Sequence, residues 1–219
     1  MNESQDCGNF SPDWPAPACV RAFCTTRQGG FSEAPWDSFN LADHVGDNRE
    51  SVQLNRELLK KCLSLPAEPL WLTQVHGCEV ASFDEKSTKV ECDASVSFIP
   101  SQVCAVLTAD CLPLLLCSKE GDRIAAVHAG WRGLAAGVIE KTIGRLTLEP
   151  HSLMAWLGPA IGQDRFEVGN EVRDIFMANN TGAEKAFIRN KNNRWLCDLY
   201  QLAKQRLKFL GVDAIYGGD

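Results

Sequence analysis

Apolar positions along this chain of 219 residues follow two different periods, which predict two kinds of element. Short continuous or alternating apolar runs predict β-strands, whereas apolar residues spaced three and four apart predict amphipathic helices. The predicted strands cover residues 19–25, 70–76, 78–83, 89–98, 103–108, 112–117, 123–128, 152–157 and 212–216. The predicted helices begin at Asp47 and cover about 131–146, 167–178 and 198–210. Because many strands follow one another without strict helix alternation, the pattern favours an α+β fold with mixed sheets.

The ends of two predicted helices carry recognisable signals. In the segment DNRE, Asp47 and Glu50 have the spacing of a capping box, and Pro66 ends the same helix. Gly211 follows the last predicted helix and suits a left-handed C-terminal cap. No internal repeat or linker-like composition divides the chain, so we expect one domain over residues 1–219.

A polar, glycine-rich segment separates the first predicted strand from the first helix. It reads TTRQGGFSEAPWDSFNLADHVGDN and contains Arg27, Asn40 and His44. Loops of this length without regular structure are usually either functional or disordered. Asn40 either binds substrate or holds the loop, and His44 either reaches a site or caps the helix that follows.

Charge and composition narrow the possible partners. Lys and Arg number 22 against 28 Asp and Glu, for a net charge of −6, and no basic cluster is present. This balance argues against binding to nucleic acid or to an anionic membrane and leaves a small molecule as the expected partner. The N-terminal residues do not resemble an export signal, so we expect a cytoplasmic protein in which most of the ten cysteines are reduced. The oligomeric state is left open.

Two of the four histidines, His76 and His128, end predicted strands, and Cys111 lies between them in TADC. Two imidazoles and one thiolate can bind zinc and leave a fourth position open, as catalytic zinc sites do. The spacing alone is a weak signal, and it favours a core histidine hydrogen-bonded to the backbone over a metal ligand.

Arg132 breaks a local rule. It follows Gly130 at the predicted start of a helix, where the partial positive charge of the helix disfavours a cation. A phosphate or another oxyanion would resolve the conflict by accepting hydrogen bonds from both the amides and the guanidinium. An exposed arginine paired with a nearby carboxylate is the alternative.

Six sequence blocks occur in the order TTRQGGFS, NLADHVGDN, TQVHG, TADCLPLLL, VHAGWRGLAAGV and GPAIGQDRFEVGNEV. Together they resemble the YfiH family. The resemblance implies a zinc-dependent purine nucleoside phosphorylase that also deaminates adenosine and phosphorolyses methylthioadenosine. It implies zinc ligands at His76, Cys111 and His128. It also implies a layered α/β-β/α sandwich with mixed sheets, similar in its core to a toxin deamidase domain. Family members usually continue beyond the final Gly-Gly-Asp, so we expect that this chain lacks a substrate-contacting tail.

The remaining site residues are assigned within this framework. Cys111, His128 and Asp110 are the expected catalytic residues, with Asp110 as a proton shuttle, an orienting group or a strand-end cap. Glu167 is a second candidate for the shuttle. Arg132, together with Arg27, is expected to hold phosphate, whereas Asn40 and His44 are expected to contact substrate.

Three other functions use the same residues. The resemblance also implies a cysteine or metal amidase that acts on a peptidoglycan precursor such as UDP-MurNAc-L-Ser, from which serine is removed. In the cysteine enzyme, Cys111 would be the nucleophile and His128 the base. A copper polyphenol oxidase would need a weak axial ligand such as methionine, and Met1, Met154 and Met177 lie in no obvious motif. A metal-binding regulatory module without enzymatic activity is the third alternative.

Overall fold

The computed structural model describes residues 7–83 and 91–218, which form two compact units. The first unit consists of Met1–Asp13, Arg21–Pro69 and Ser101–Val103; the second consists of Trp14–Val20, Leu70–Pro100 and Cys104–Asp219. The assignment of residues 1–219 to one domain stays a prediction. Residues 89 and 90 of the predicted strand 89–98 lie outside the described residues.

In the first unit, the part of the chain that the structure describes has two short strands and one helix. Strand β1 (Asn9–Phe10) pairs antiparallel with β2 (Cys24–Thr25), so only the end of the predicted strand 19–25 is a strand. Helix α1 covers Arg49–Cys62. Its N-cap is Asn48, whose side chain accepts hydrogen bonds from the amides of Glu50 and Ser51, so the predicted Asp47 capping box is wrong. The Asp47 carboxylate instead accepts from Asn40 and from the Asn48 amide.

The long polar loop of this unit is held against α1 by hydrogen bonds to the side chain of Asn55. This side chain is fully buried; its Nδ2 donates to Ser32 Oγ (2.9 Å) and to the carbonyl oxygens of Ser38 (3.3 Å) and Asn40 (2.8 Å). Its Oδ1 accepts from the Phe31 amide at 2.8 Å. Polar groups of the loop thus find their hydrogen-bond partner in the buried side-chain amide of Asn55, as buried polar groups require.

The described residues of the second unit form nine strands and four helices. In chain order they are β3 (Val80–Ser82), β4 (Ala94–Ser97), β5 (Leu112–Ser118), β6 (Ile124–Ala129), α2 (Trp131–Ala136), α3 (Val138–Leu146), β7 (Leu153–Leu157), β8 (Glu167–Val168), α4 (Asn170–Asn179), β9 (Phe187–Arg189), β10 (Trp195–Cys197), α5 (Leu199–Leu210) and β11 (Ala214–Gly217). Short 3₁₀ helices cover Pro150–Ser152 and Thr181–Ala186.

The main sheet of this unit has the strand order β11-β7-β5-β6-β4-β3. The pairs at its two edges, β11 with β7 and β3 with β4, are parallel, and the pairs between them are antiparallel. A small antiparallel sheet has the order β8-β10-β9. The predicted mixed α/β fold with mixed sheets is therefore confirmed. None of the helices in the described parts of the chain is long and apolar enough to cross a membrane.

Successive side chains of the main sheet alternate between two faces. Leu114, Val127 and Ala155 belong to the face that packs against helices α3 and α5, where Ile139 and Leu202 complete a fully buried core. His128 follows Val127 in β6 and therefore lies on the other face.

Several predicted elements differ from those observed. Residues 70–76 and 103–108 form no strands and make only isolated bridges, Leu70 with Cys104 and Thr73 with Glu91. The predicted helix 131–146 is divided at Gly137, whose φ of +88° ends α2 before α3 begins. The predicted helix 167–178 begins only at Asn170, because Glu167–Val168 pairs as strand β8 with β10. Gly211 caps α5 with φ +93°, as predicted.

Candidate metal centre

The side chains of His76, Cys111 and His128 meet in the second unit. One ligand atom of each lies within 4.8 Å of the others. The two imidazole rings stand edge to face, with centroids 4.7 Å apart. His76 is exposed, Cys111 is half-buried and His128 is buried, so the cluster opens to solvent on the His76 side. Two nitrogens and one sulfur fit a tetrahedral cation that keeps one position free.

The pairing of β5 with β6 brings two of these residues together. Cys111 immediately precedes β5, and His128 lies opposite Pro113 in the register of the pair. His76 comes from the loop before β3 and has a left-handed backbone, with φ +59°. That conformation is uncommon for a residue with a Cβ and marks a constrained position.

Gln74 joins the two loops that carry His76 and Cys111. Its Nε2 donates to the Leu107 carbonyl and its Oε1 accepts from the Leu107 amide, both at 2.7 Å. The side chain thus makes the pair of hydrogen bonds that a neighbouring strand would make. This explains why residues 70–76 and 103–108 stay close without forming a ladder.

Asp93 lies beneath the cluster and is fully buried. Its Oδ1 contacts His128 Nδ1 at 2.7 Å and accepts from the His76 amide at 2.9 Å. Its Oδ2 accepts from the amides of Gly77 at 2.6 Å and Val75 at 3.2 Å. Asp93 was not predicted as a site residue from the sequence. The available signal was a charged residue inside a predicted buried strand, since such local inconsistencies tend to mark functional positions.

The charges in the cluster influence one another. Burial opposes ionisation of Asp93, but its hydrogen bonds with His128, Gly77 and Val75 lower the pKa of the carboxyl overall. Burial likewise opposes protonation of His128, yet hydrogen bonds with Asp93 and Cys111 raise its pKa to about 9. Burial and the proximity of His128 lower the pKa of His76. Because a metal ligand must be unprotonated on its coordinating atom, a proton and a cation compete for the ring of His128.

Gly130 gives the Cys111 sulfur its space. A Cβ at residue 130 would lie 2.7 Å from Cys111 Sγ and 3.4 Å from His76 Cδ2. Gly133 is similarly confined, because its Cβ would lie 2.8 Å from the Gly77 carbonyl oxygen. Gly130 and Gly133 therefore allow the chain to pack closely at the cluster.

Arg132 is exposed beside the cluster. Its guanidinium lies over the Trp131 ring, 4.5 Å from the centroid, and its charge contributes to lowering the pKa of His76. Within residues 7–83 and 91–218 it forms no ion pair with a carboxylate, so the paired-arginine interpretation is not supported.

The two candidate carboxylates have different surroundings. Asp110 is exposed, and its main-chain carbonyl accepts from the Ile161 amide at 2.9 Å. Its carboxylate accepts no hydrogen bond from the described part of the chain, which argues against a strand-end cap. Glu167 instead pairs with Arg194 at 3.0 Å and accepts from Asn190 at 2.5 Å. Asp110 is thus the better candidate for proton transfer.

Arg27, Asn40 and His44 belong to the first unit. Arg27 donates to the Asp37 carbonyl at 2.7 Å, and Asn40 bonds to Ala42 and Asp47, so both hold the polar loop. His44 is exposed and lies 3.7 Å from the Asp43 carboxylate. Their roles in binding phosphate or substrate stay predictions.

Comparison with known proteins places the chain in a family. Residues 21–219 match the family described as "Multi-copper polyphenol oxidoreductase laccase". A relative from Escherichia coli K12, "Purine nucleoside phosphorylase YfiH", is 50% identical over 209 residues, which cover 95% of this chain and 86% of that protein. The relative "Purine nucleoside phosphorylase PA4543" of Pseudomonas aeruginosa is 51% identical over 210 residues, covering 95% and 86%.

Solved structures agree with the sequence matches. A Neisseria meningitidis protein aligns with a TM-score of 0.93 at 45% identity, covering 97% of this chain and 87% of that one. YlmD from Geobacillus stearothermophilus aligns with a TM-score of 0.86 at 26% identity, covering 93% and 82%. This chain therefore belongs to the multi-copper polyphenol oxidoreductase laccase family, together with the YfiH proteins.

Proposed function

We propose that this chain is a zinc-dependent purine nucleoside phosphorylase whose metal ligands are His76, Cys111 and His128. One observation carries the proposal: three ligand atoms from distant parts of the chain lie within 4.8 Å of one another at a solvent-accessible place. Relatives about half identical to this chain are named purine nucleoside phosphorylases, which supports the substrate class. The products would be a purine base and ribose 1-phosphate.

The donor set favours zinc over copper. A blue-copper site adds a weak axial ligand, commonly methionine, to two histidines and a cysteine. Met154 lies opposite Cys117 of β5, four residues along the strand from Pro113, which lies opposite His128, and Met177 packs against the core. Within the described residues, therefore, no methionine is available as a fourth ligand, whereas zinc needs only an open position. A copper oxidase remains the less favoured alternative.

The chain's own groups would serve phosphorolysis as follows. Arg132 would pair with inorganic phosphate, since its guanidinium has no carboxylate partner among the described residues. Asp110 would relay a proton to the departing purine. A bound zinc ion would supply a Lewis acid that orients phosphate or polarises a substrate oxygen. The proposed adenosine deaminase activity would use Asp110 in the same role, to move the proton of an attacking water.

The test combines metal analysis with product identification. Purified protein is assayed for zinc and for ribose 1-phosphate formed from adenosine, inosine or methylthioadenosine with phosphate. Cys111→Ala should lose both metal and phosphorolysis, while Cys19→Ala, which removes an exposed thiol elsewhere, should keep both. Full phosphorolysis by the metal-free protein would refute the proposal.

A second function is favoured by a specific observation. Asp93, His128 and Cys111 form a series in which the carboxylate contacts Nδ1 of the imidazole and the thiol lies within 4.8 Å of a ring nitrogen. This is the arrangement of a nucleophile, a base and an orienting acid in cysteine hydrolases. Such an enzyme would cleave an amide, for example that of a serine-containing muramyl precursor.

His76 separates the two candidates. It belongs to the metal cluster but not to the Asp93–His128–Cys111 series, so His76→Ala should abolish a zinc reaction and spare a thiol-dependent amidase. Metal-free protein should also form an acyl-enzyme at Cys111 if the amidase is correct, and iodoacetamide should block it. Phosphorolysis lost in His76→Ala without acyl-enzyme formation supports the phosphorylase.

A further inference from the structure

The Asp93 carboxylate contacts both histidines of the cluster, each by a different route. It reaches His128 through the side chain, at Nδ1, and it reaches His76 through the main chain, at the amide. Two adjoining amides, those of Val75 and Gly77, converge on the same carboxylate. Asp93 itself is fixed, because its carbonyl oxygen accepts from the His128 amide at 2.7 Å.

We infer that Asp93 is a positioning residue that fixes two of the three metal ligands at once and thereby sets the affinity of the centre for zinc. This inference rests on the proposed metal centre but not on which reaction the centre performs.

The first route fixes the ring of His128. Because Nδ1 faces Asp93, only Nε2 remains to face Cys111 and a cation. A metal-bound histidine typically donates its second ring N–H to a carboxylate or carbonyl, which fixes the tautomer and the ring orientation. The carboxylate at 2.7 Å supplies that acceptor in a place from which water is excluded.

The second route fixes the main chain of His76. The left-handed φ of +59° is unfavourable for a residue with a Cβ, so it needs support from its surroundings. Three consecutive amides donating to one buried carboxylate provide that support. Without it the loop relaxes toward ordinary backbone geometry and carries the exposed His76 ring away from the cluster.

A purely structural Asp93 is the opposing interpretation. A buried carboxylate that accepts three amides stabilises its loop whether or not a metal binds. The two interpretations differ in one measurable quantity, the zinc affinity of protein that is still folded.

The experiment uses Asp93→Asn, which keeps the size of the side chain but replaces one acceptor by a donor. Zinc affinity is measured by competition with a chromophoric chelator, and cobalt(II) serves as a spectroscopic probe of the ligand geometry. We expect binding about 10- to 100-fold weaker than in the wild-type protein and an altered cobalt spectrum. The control is Asp198→Ala, which removes the N-cap of α5 and destabilises the fold without touching the cluster.

A second measurement uses the wild-type protein and does not depend on the variant folding. With only four histidines, ¹⁵N-labelled imidazoles can be resolved by NMR in the zinc-loaded chain. We expect zinc on Nε2 of His128 and a proton on Nδ1. Zinc on Nδ1, or unchanged zinc affinity in folded Asp93→Asn, overturns the inference while leaving the metal centre standing. Wild-type protein that binds no zinc overturns both.

Discussion

Gly130→Ala tests the geometry of the candidate metal centre without altering any ligand. The backbone at residue 130 has φ −65° and ψ 162°, which alanine adopts without strain. The added methyl group would lie 2.7 Å from Cys111 Sγ, whereas ordinary contact begins near 3.4 Å. The sulfur must therefore move by roughly 0.7 Å, several times the tolerance of about 0.2 Å in a metal–ligand distance.

The size of the effect follows from this overlap. Forcing an extra methyl group into packed surroundings costs about 1–3 kcal/mol. In metal-free protein the Cys111 thiol can turn away from the added methyl group, but in zinc-loaded protein it must stay in the coordinating position. The cost of this clash therefore opposes metal binding. Since 1.4 kcal/mol corresponds to a factor of ten, we expect zinc affinity to fall about 5- to 150-fold.

The assay is chelator competition on the folded variant, with unfolding in urea to measure stability. Gly144→Ala is the matched control, because a Cβ there meets nothing within 4 Å and a glycine-to-alanine change inside α3 should stabilise by about 0.5–1 kcal/mol. In a Cys111→Ala background, any stability cost of Gly130→Ala should shrink, because the clashing sulfur is gone. Wild-type zinc affinity in Gly130→Ala would refute the reasoning.

Three further predictions concern other parts of the chain. Asn55→Leu should lower the free energy of unfolding by about 1–3 kcal/mol, measured in urea, because the Phe31 amide loses its buried acceptor; an unchanged value would show that the loop does not depend on Asn55. Gly137→Ala should destabilise by about 1–2 kcal/mol, since φ is +88° there; helix propensity alone predicts the opposite sign, so thermal unfolding separates the two. Removing zinc with a chelator should lower the thermal unfolding temperature, and re-adding zinc at about 100 times its dissociation constant should restore about 2.7 kcal/mol; a temperature indifferent to zinc would contradict metal binding to the folded state.

The fold was predictable where a strong local pattern coincides with the tertiary structure. The run CLPLLLC and the run RIAAVH became β5 and β6, since both are continuous apolar segments of strand length. The division at Gly137 was not predicted, because the apolar spacing continues across it and only the backbone angle reveals the break. The strand at Glu167–Val168 was missed for a related reason: it exists through pairing with a distant strand.

The candidate site was predictable only in part. The predicted strand ends at His76 and His128, with Cys111 between them, gave a weak zinc signal, and the resemblance to a family strengthened it. Asp93 and Gln74 act through contacts between residues far apart in sequence, which no local period reports. The predicted N-cap at Asp47 was wrong by one residue, because Asp and Asn both cap helices and it is the side chain of Asn48 that accepts from the amides of Glu50 and Ser51.

The alternation of side chains along β6 has a consequence for how the chain tolerates change. His128 and Val127 lie on opposite faces of the strand, and β6 is held by six residue pairs with β5 and four with β4. A shift of β6 by one residue in its register would exchange those faces. It would place the imidazole in the apolar core and a valine in the cluster. Insertions or deletions in the turn between β5 and β6 therefore disrupt the metal centre as much as loss of a ligand does, although that turn contacts none of the three ligands.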